Sequence, residues 1–159
     1  MSEPVVISIS PKDQKKSARQ KEVQRLLAGA GRKELLCRGV SALYKLEGDY
    51  SQIQIQKIVQ ELLCDPVVEN FDSDSLPRDP NTFFIDVWPK PGVADPVGES
   101  VLKAVHDLGI ESVNKASSGT RYEFSGKAGT LNGKTGVLAS EFASRELLNP
   151  LIQECKIIT

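Results

Sequence analysis

The segment closest to a catalytic motif is the glycine-rich run Gly129–Thr135, in which Gly133 is followed by Lys134 and a threonine. A phosphate-binding loop needs four residues between its first glycine and the Gly-Lys-Thr triplet, because its backbone N–H groups wrap around the phosphates. Gly129 and Gly133 enclose only three residues, and Ala128 stands where the glycine is required. The spacing favours a turn inserted between a strand and a helix over a nucleotide site.

The other side chains that could take part in catalysis or bind a metal are scattered along the sequence. His106 is the single histidine and lies off the apolar stripe of its predicted helix, so a solvated surface residue is favoured over a proton shuttle. The three cysteines, Cys37, Cys64 and Cys155, form no CxxC pair and offer no zinc-ligand spacing. We therefore expect a chain with no catalytic residues, metal or cofactor of its own. The odd cysteine count and the absence of a secretion signal after Met1 indicate a reducing, cytoplasmic setting.

Charge gives little reason to expect nucleic acid or a membrane as partner. The 159 residues include 20 Lys+Arg and 21 Asp+Glu, for a net charge of -1. No apolar run approaches the roughly 20 residues that cross a bilayer. A basic cluster surrounds the first predicted helix and could meet phosphate, although a solvated helix face is favoured because the first strand offers no aromatic platform. The cluster comprises Lys12, Lys15, Lys16, Arg19, Lys21, Arg25, Arg32 and Lys33.

The chain contains an internal repeat. The first strand recurs with an offset of 83 − 5 = 78, and the end of the second helix recurs with an offset of 150 − 66 = 84, so the second copy carries six extra residues in its glycine-rich stretch. The matching segments are 5–12 with 83–90, 44–48 with 122–126, and 63–69 with 147–153. We expect a first repeat at 1–75, a linker at 76–82 and a second repeat at 83–159. Halves this small should pack against each other.

Each half has the pattern strand, helix, strand, helix, strand. Val5, Ile7 and Ile9 alternate with the period of two that places one face of a strand on a core. Ser51 and Gln54 have the spacing of a capping box that begins the second helix. These patterns predict an α+β fold of two ferredoxin-like βαβαβ repeats, related by a pseudo-two-fold axis, with antiparallel sheets and helices on one face.

The most specific local sequence is the turn that begins at Lys90. Pro91 and Gly92 turn the chain away from the preceding strand, Asp95 and Pro96 begin a helix, and Gly98 leaves its first turn without a side chain. A second backbone could therefore approach, and we expect it to belong to a partner, so that Gly98→Gln would leave the fold nearly unchanged. The candidate interface residues are Lys90, Pro91, Gly92, Asp95, Pro96 and Gly98.

This turn resembles the Lys-x-Gly-Val-x-Asp-Pro-x-Gly signature of the PurS family, the small component of phosphoribosylformylglycinamidine synthase. The segments 119–124 and 149–152 also resemble family patterns, and the likeness covers residues 83–158. Residues 5–71 are linked to it through the internal repeat. The sequence departs from the family at Val97, where glutamine is usual, and in the first half, which lacks the signature.

The resemblance implies a tandem PurS-like unit similar to the N-terminal domain of the large single-chain synthase. Its implied role is structural: it bridges a synthetase (PurL-like) and a glutaminase (PurQ-like) subunit or domain in de novo purine biosynthesis. ATP, Mg and glutamine would then be used by those partners. The chain would be either a free subunit, capable of homo-oligomerisation, or the N-terminal piece of a longer polypeptide.

Two alternatives to that role remain open from the sequence. One is a ferredoxin-like regulatory module that binds a small molecule between its paired halves. The other is a weak nucleic-acid binder that uses the basic first helix.

Overall fold

A six-stranded antiparallel sheet forms the framework of the chain in the computed structural model, which describes residues 2–13, 17–29, 35–77, 79, 81–126 and 141–159. The strands are β1 (Ser2–Pro11), β2 (Leu35–Gly48), β3 (Glu69–Ser73), β4 (Thr82–Pro89), β5 (Val113–Gly126) and β6 (Gln153–Ile158). The helices are α1 (Ala18–Gly29), α2 (Gln52–Ile58, continued by a π-helical turn at Val59–Leu63), α3 (Pro96–Asp107) and the π-helical α4 (Ala143–Leu147). The predicted turn at Gly129–Thr135 lies outside the described residues.

The sheet has the strand order β3-β1-β2-β5-β4-β6, so its two central strands come from different halves of the sequence. Every neighbouring pair is antiparallel. The predicted fold class, an α+β arrangement of two ferredoxin-like repeats, is confirmed. The division into domains at 1–75 and 83–159 stays a prediction, because one continuous sheet spans both halves.

The strand registers show a pseudo-two-fold symmetry between the two halves. Ile7 pairs with Tyr44 in the first half, and the residues 78 positions later, Ile85 and Tyr122, pair in the second. In the central pair of strands, Ala42 opposes Thr120, and the registers on either side of this pair mirror each other. The axis therefore passes through the middle of the β2–β5 ladder.

The helices repeat as the strands do. Helix α3 lies 78 positions after α1, and the two π-helical turns are 84 positions apart. In both turns the residue after the helix donates its N–H to a carbonyl five residues earlier, at 2.9 Å from Cys64 to Val59 and 3.1 Å from Leu148 to Ala143. The offset therefore changes between the end of β5 and α4, in agreement with six extra residues there.

Each of two apolar cores contains residues from both halves. The first joins α1 (Val23, Leu27) to β4, β5 and α4, and the second joins α3 (Val105) to β1 and α2. Full burial of a Leu, Ile, Val or Phe side chain is worth roughly 1.5 to 3 kcal/mol. Since each half's first helix packs in a core that the other half helps to build, neither half can bury its apolar surface alone.

The segment after β3 crosses the sheet on the face opposite the helices. Asp74 donates its N–H to the Val6 carbonyl (2.8 Å), and its Oδ1 accepts from the Val6 N–H (3.0 Å). The Ser75 hydroxyl then accepts a hydrogen bond from Nη1 of Arg121 on β5 (2.9 Å). The segment at Asp74 and Ser75 thus runs from β1 to β5 across this face, which we call the open face.

A buried ion pair lies beneath Ser75. Arg121 donates from Nε and Nη2 to the two carboxylate oxygens of Asp86, at 2.7 and 2.8 Å, and its guanidinium lies 4.3 Å from the ring centre of Phe84. Ser8 and Leu43 occupy the equivalent positions and pair in the first half. The second half therefore has a charged pair where the first has an apolar residue and a hydroxyl.

Candidate functional site at the turn between β4 and α3

The turn from Lys90 to Gly98 is attached at its start to the segment that precedes β6. Lys90 donates its N–H to the Ile152 carbonyl (2.9 Å), and Val93 donates to the Lys90 carbonyl (3.1 Å). Gly92, which lies between these two residues, has φ +83°, a left-handed conformation that residues with side chains rarely adopt. Backbone hydrogen bonds and one glycine therefore fix the shape of the exposed part of the turn.

Asp95 attaches the end of the turn to both α3 and β5. Its Oδ1 accepts from the Gly98 N–H (3.0 Å) and the Ser118 hydroxyl (2.6 Å), and its Oδ2 accepts from the Ser118 N–H (2.7 Å). Partial burial alone would raise the pKa of Asp95, but the hydrogen bonds from Ser118 and Gly98, with the nearby Lys115, lower that pKa below its ordinary value. The predicted helix cap is present, and it also joins the helix to the sheet.

Gly98 has a role inside the chain that the sequence did not reveal. It is buried, and a Cβ built on it would lie 2.5 Å from the Ala116 carbonyl oxygen on β5 and 2.6 Å from Oδ2 of Asp95. The backbone that approaches this glycine is the chain's own, so the expectation that Gly98→Gln leaves the fold nearly unchanged is wrong. In α1 the equivalent residue is Gln20, whose amide instead donates to the Cys37 carbonyl at 2.7 Å.

The six candidate interface residues differ in accessibility. Gly98 is buried, Lys90 and Asp95 are half-buried, and Pro91, Gly92 and Pro96 are exposed. The structure brings them together in one turn, with the exposed ones on its outer side. Their contact with a partner stays a prediction.

A second turn next to this one exposes apolar side chains. Leu151 is 82% exposed and Ile152 is 46% exposed, in the loop between α4 and β6. Asn149 accepts from the Leu151 N–H (3.1 Å) through Oδ1, while Gln153 accepts from the Asn149 N–H (2.8 Å) through Oε1. These two contacts hold the loop so that Leu151 and Ile152 point away from the core.

The same loop occurs at the other end of the sheet. Asp65 Oδ1 accepts from the Val67 N–H (3.0 Å), and Glu69 Oε1 accepts from the Asp65 N–H (2.9 Å). Val67 is 78% exposed, like its equivalent Leu151. In both halves, the Asp/Asn-Pro segment therefore fixes the shape of the loop through local hydrogen bonds and leaves two apolar side chains exposed. This role was not visible in the sequence.

A cleft of about 750 Å³ lies on the open face beside the first turn. Trp88 and Lys90 line it, together with Lys45, Lys115 and Lys156. The site could not be predicted from the sequence, because its residues come from seven separate segments that only the folded chain brings together.

The other candidate groups have structural roles. His106 is half-buried, and its Nε2 lies 2.7 Å from the Val113 carbonyl, so the expected solvated position is wrong: the imidazole joins the end of α3 to the start of β5. Burial raises the pKa of the Cys37 thiol to about 11, which keeps it protonated. Among the described residues, no three His, Cys, Asp or Glu side chains are grouped so that they could hold a metal ion.

The basic first helix is only partly described, since Lys15, Lys16, Arg32 and Lys33 lie outside the described residues. Arg19 is engaged within the chain: Nη1 donates to Glu22 (2.8 Å) and Nη2 donates to the Tyr122 hydroxyl (2.9 Å). Its guanidinium also lies 5.6 Å from the Tyr122 ring centre. In the described part of the chain, no helix is long and apolar enough to cross a membrane.

Comparison with known proteins gives one family. The PurS family, described as phosphoribosylformylglycinamidine (FGAM) synthase, matches residues 82–159. The matched region begins at β4 and includes the turn, Asp95, Gly98 and the Asn149–Gln153 loop. No curated protein matched the chain in a sequence comparison.

Proposed function

We propose that this chain, which belongs through residues 82–159 to the PurS family of FGAM synthase, bridges the synthetase and glutaminase parts of that enzyme. The family gives the chain a role in FGAM synthase and hence in purine biosynthesis. In the proposed division of labour the partners bind ATP, Mg and glutamine and carry out the chemistry, while this chain positions them.

The observation that carries the proposal is the pair of neighbouring turns at the end of β4. The Lys90–Gly98 turn and the Asn149–Gln153 loop are joined by the hydrogen bond from Lys90 to Ile152, so they form one surface. That surface exposes Pro91 and Leu151, and its shape is set by hydrogen bonds inside the chain. A preorganised apolar surface loses little entropy on binding, which suits it to a protein partner.

The shared cores support a scaffolding role. Because each first helix packs in a core built by both halves, movement of one half relative to the other would expose apolar surface in both cores. We infer that the chain acts as a rigid spacer. A rigid spacer can hold two enzymes at a fixed separation, as transfer of ammonia between them requires.

Reconstitution of the synthase from separately purified parts tests the proposal. FGAM formation would be measured with glutamine and, separately, with added ammonium as nitrogen donor. If the chain couples the two parts, omitting it should reduce the glutamine-dependent rate far more than the ammonium-dependent rate. Equal reductions, or none, would contradict the bridging role.

A matched pair of variants tests the location of the interface. Leu151→Ser removes an exposed apolar side chain from the proposed surface, and Val67→Ser does the same at the equivalent position outside the family match. We expect Leu151→Ser to weaken assembly with the synthetase and glutaminase by about tenfold, with Val67→Ser near wild type. Equal affinities for the two variants, measured by analytical ultracentrifugation, would remove this surface from the interface.

A further inference from the structure

The carboxylates that line the open-face cleft are largely engaged within the chain. Both oxygens of Asp86 accept from Arg121, and both oxygens of Asp95 accept from Ser118. Asp74 accepts from the Val6 N–H. These three acids therefore already have hydrogen-bond donors, and the first is neutralised by a buried guanidinium.

The lysines of the cleft are much less engaged. Lys115 forms a long contact with Glu47 (3.9 Å) and is well exposed. For Lys45, Lys90 and Lys156, no carboxylate of the described residues lies within ion-pair distance. Outside the Asp86–Arg121 pair, the lining contains four lysines and four carboxylates, those of Asp74, Asp95, Glu99 and Glu154. Three of the four lysine ammonium groups in the cleft, those of Lys45, Lys90 and Lys156, are therefore without an ion-pair partner among the described residues and are available to an anionic ligand.

An aromatic platform lies among these lysines. Trp88 lies against Gly119, where a Cβ would be only 2.7 Å from Cε3 of the indole, so the glycine lets the ring pack on the β5 backbone. The Lys45 ammonium lies 4.9 Å from the ring centre. Ser10 and Ser41 stand at the equivalent positions of the first half, which lacks this platform.

We propose that this cleft binds a phosphorylated small molecule of about nucleotide size. Its volume of about 750 Å³ lies within the range of small-molecule sites, roughly 300 to 1,000 Å³. Lysine ammonium groups suit phosphate as point charges, and the indole provides apolar contact for a ring or a sugar. The proposal goes beyond the bridging role and does not depend on it.

The chain's single tryptophan makes the proposal directly measurable. Trp88 is the only indole in the protein, so its emission reports on the cleft alone. The isolated full chain would be titrated at low ionic strength with ADP, inorganic phosphate and adenosine, up to millimolar concentrations. We expect saturable changes with ADP and weaker ones with inorganic phosphate, and none with adenosine, because the phosphate carries the recognition.

Lysine variants then locate the binding. Lys90→Ala and, separately, Lys156→Ala should each weaken ADP binding by about tenfold, as expected for loss of a hydrogen bond to a charged group. Lys103→Ala, on an exposed position of α3 outside the cleft, is the matched control and should bind ADP as the wild type does. The use of two cleft variants keeps the test valid if one of them folds poorly.

Three outcomes would overturn the proposal. One is the absence of any saturable response to ADP or phosphate. Another is equal affinity for adenosine and ADP, which would show that phosphate is not recognised. The third is equal weakening by Lys90→Ala and Lys103→Ala, which would indicate diffuse attraction to the surface. None of these results depends on the synthetase or the glutaminase, so the bridging role is tested separately.

Discussion

Gly98→Ala adds a single methyl group at the tightest contact between α3 and the sheet. The new Cβ would lie 2.5 Å from the Ala116 carbonyl oxygen and 2.6 Å from Oδ2 of Asp95. Carbon and oxygen in contact need more than 3 Å, so either the start of α3 moves away from β5 or Asp95 leaves its position. Movement of Asp95 would break the hydrogen bonds to Gly98 and Ser118 together.

The expected cost follows from three contributions. Overpacking costs roughly 1 to 3 kcal/mol, and loss of a helix cap costs about 1 kcal/mol. Replacement of glycine by alanine in a helix stabilises the folded state by up to about 1 kcal/mol, which offsets part of that cost. We therefore expect Gly98→Ala to lower the free energy of unfolding by about 1 to 3 kcal/mol.

Urea unfolding followed by Trp88 emission measures this difference. Gly29→Ala is the matched control, because a Cβ at that helical glycine meets nothing within 4 Å. The control should be neutral or slightly stabilising, by up to about 1 kcal/mol. If Gly98→Ala unfolds at the same urea concentration as wild type and control, the close packing of α3 on β5 inferred here is wrong.

Two further predictions concern the buried ion pair and the helix cap. Asp86→Ser should destabilise the fold by roughly 3 to 5 kcal/mol because it leaves Arg121 buried without its partner. The double variant Asp86→Ser/Arg121→Leu installs the Ser8 and Leu43 pair of the first half. It should regain most of the lost stability in the same urea assay. Since the folded-state pKa of Asp95 is lowered, its carboxylate contributes stability that is complete above the unfolded-state pKa and is lost as the pH falls through the folded-state pKa. Asp95→Asn should therefore flatten the acid limb of the stability–pH profile, and an unchanged limb would contradict the assigned hydrogen bonds.

Local patterns in the sequence were sufficient to predict the elements. The capping box at Ser51 is present with both of its hydrogen bonds, at 3.2 Å from the Gln54 N–H to the Ser51 hydroxyl and 2.9 Å from the Ser51 N–H to the Gln54 side chain. The alternation of Val5, Ile7 and Ile9 correctly predicted that Ile7 and Ile9 lie in a core, whereas Val5 is only half-buried. Such signals depend on neighbours in sequence, which is why they could be read without a structure.

Features that depend on distant segments could not be predicted. The sequence showed that Gly98 permits a close approach, but nothing local tells whether the approaching backbone is β5 or a partner. Likewise, nothing local indicates that Asp86 and Arg121 are buried, since Ser75, which contacts Arg121, comes from a distant segment. The cleft beside Trp88 combines both problems, because it depends on the registers of four strands (β2, β4, β5 and β6) and on the path of the segment after β3.

Several differences between the two halves lie around β4 and the elements next to it. Trp88 replaces a serine, Asp86 and Arg121 replace Ser8 and Leu43, and Gly98 replaces Gln20, while the strand registers, π-helical turns and Asp/Asn-Pro loops remain equivalent. The PurS match covers the half that contains these differences. Experiments on function should therefore begin at the surface around Trp88, Lys90 and Leu151.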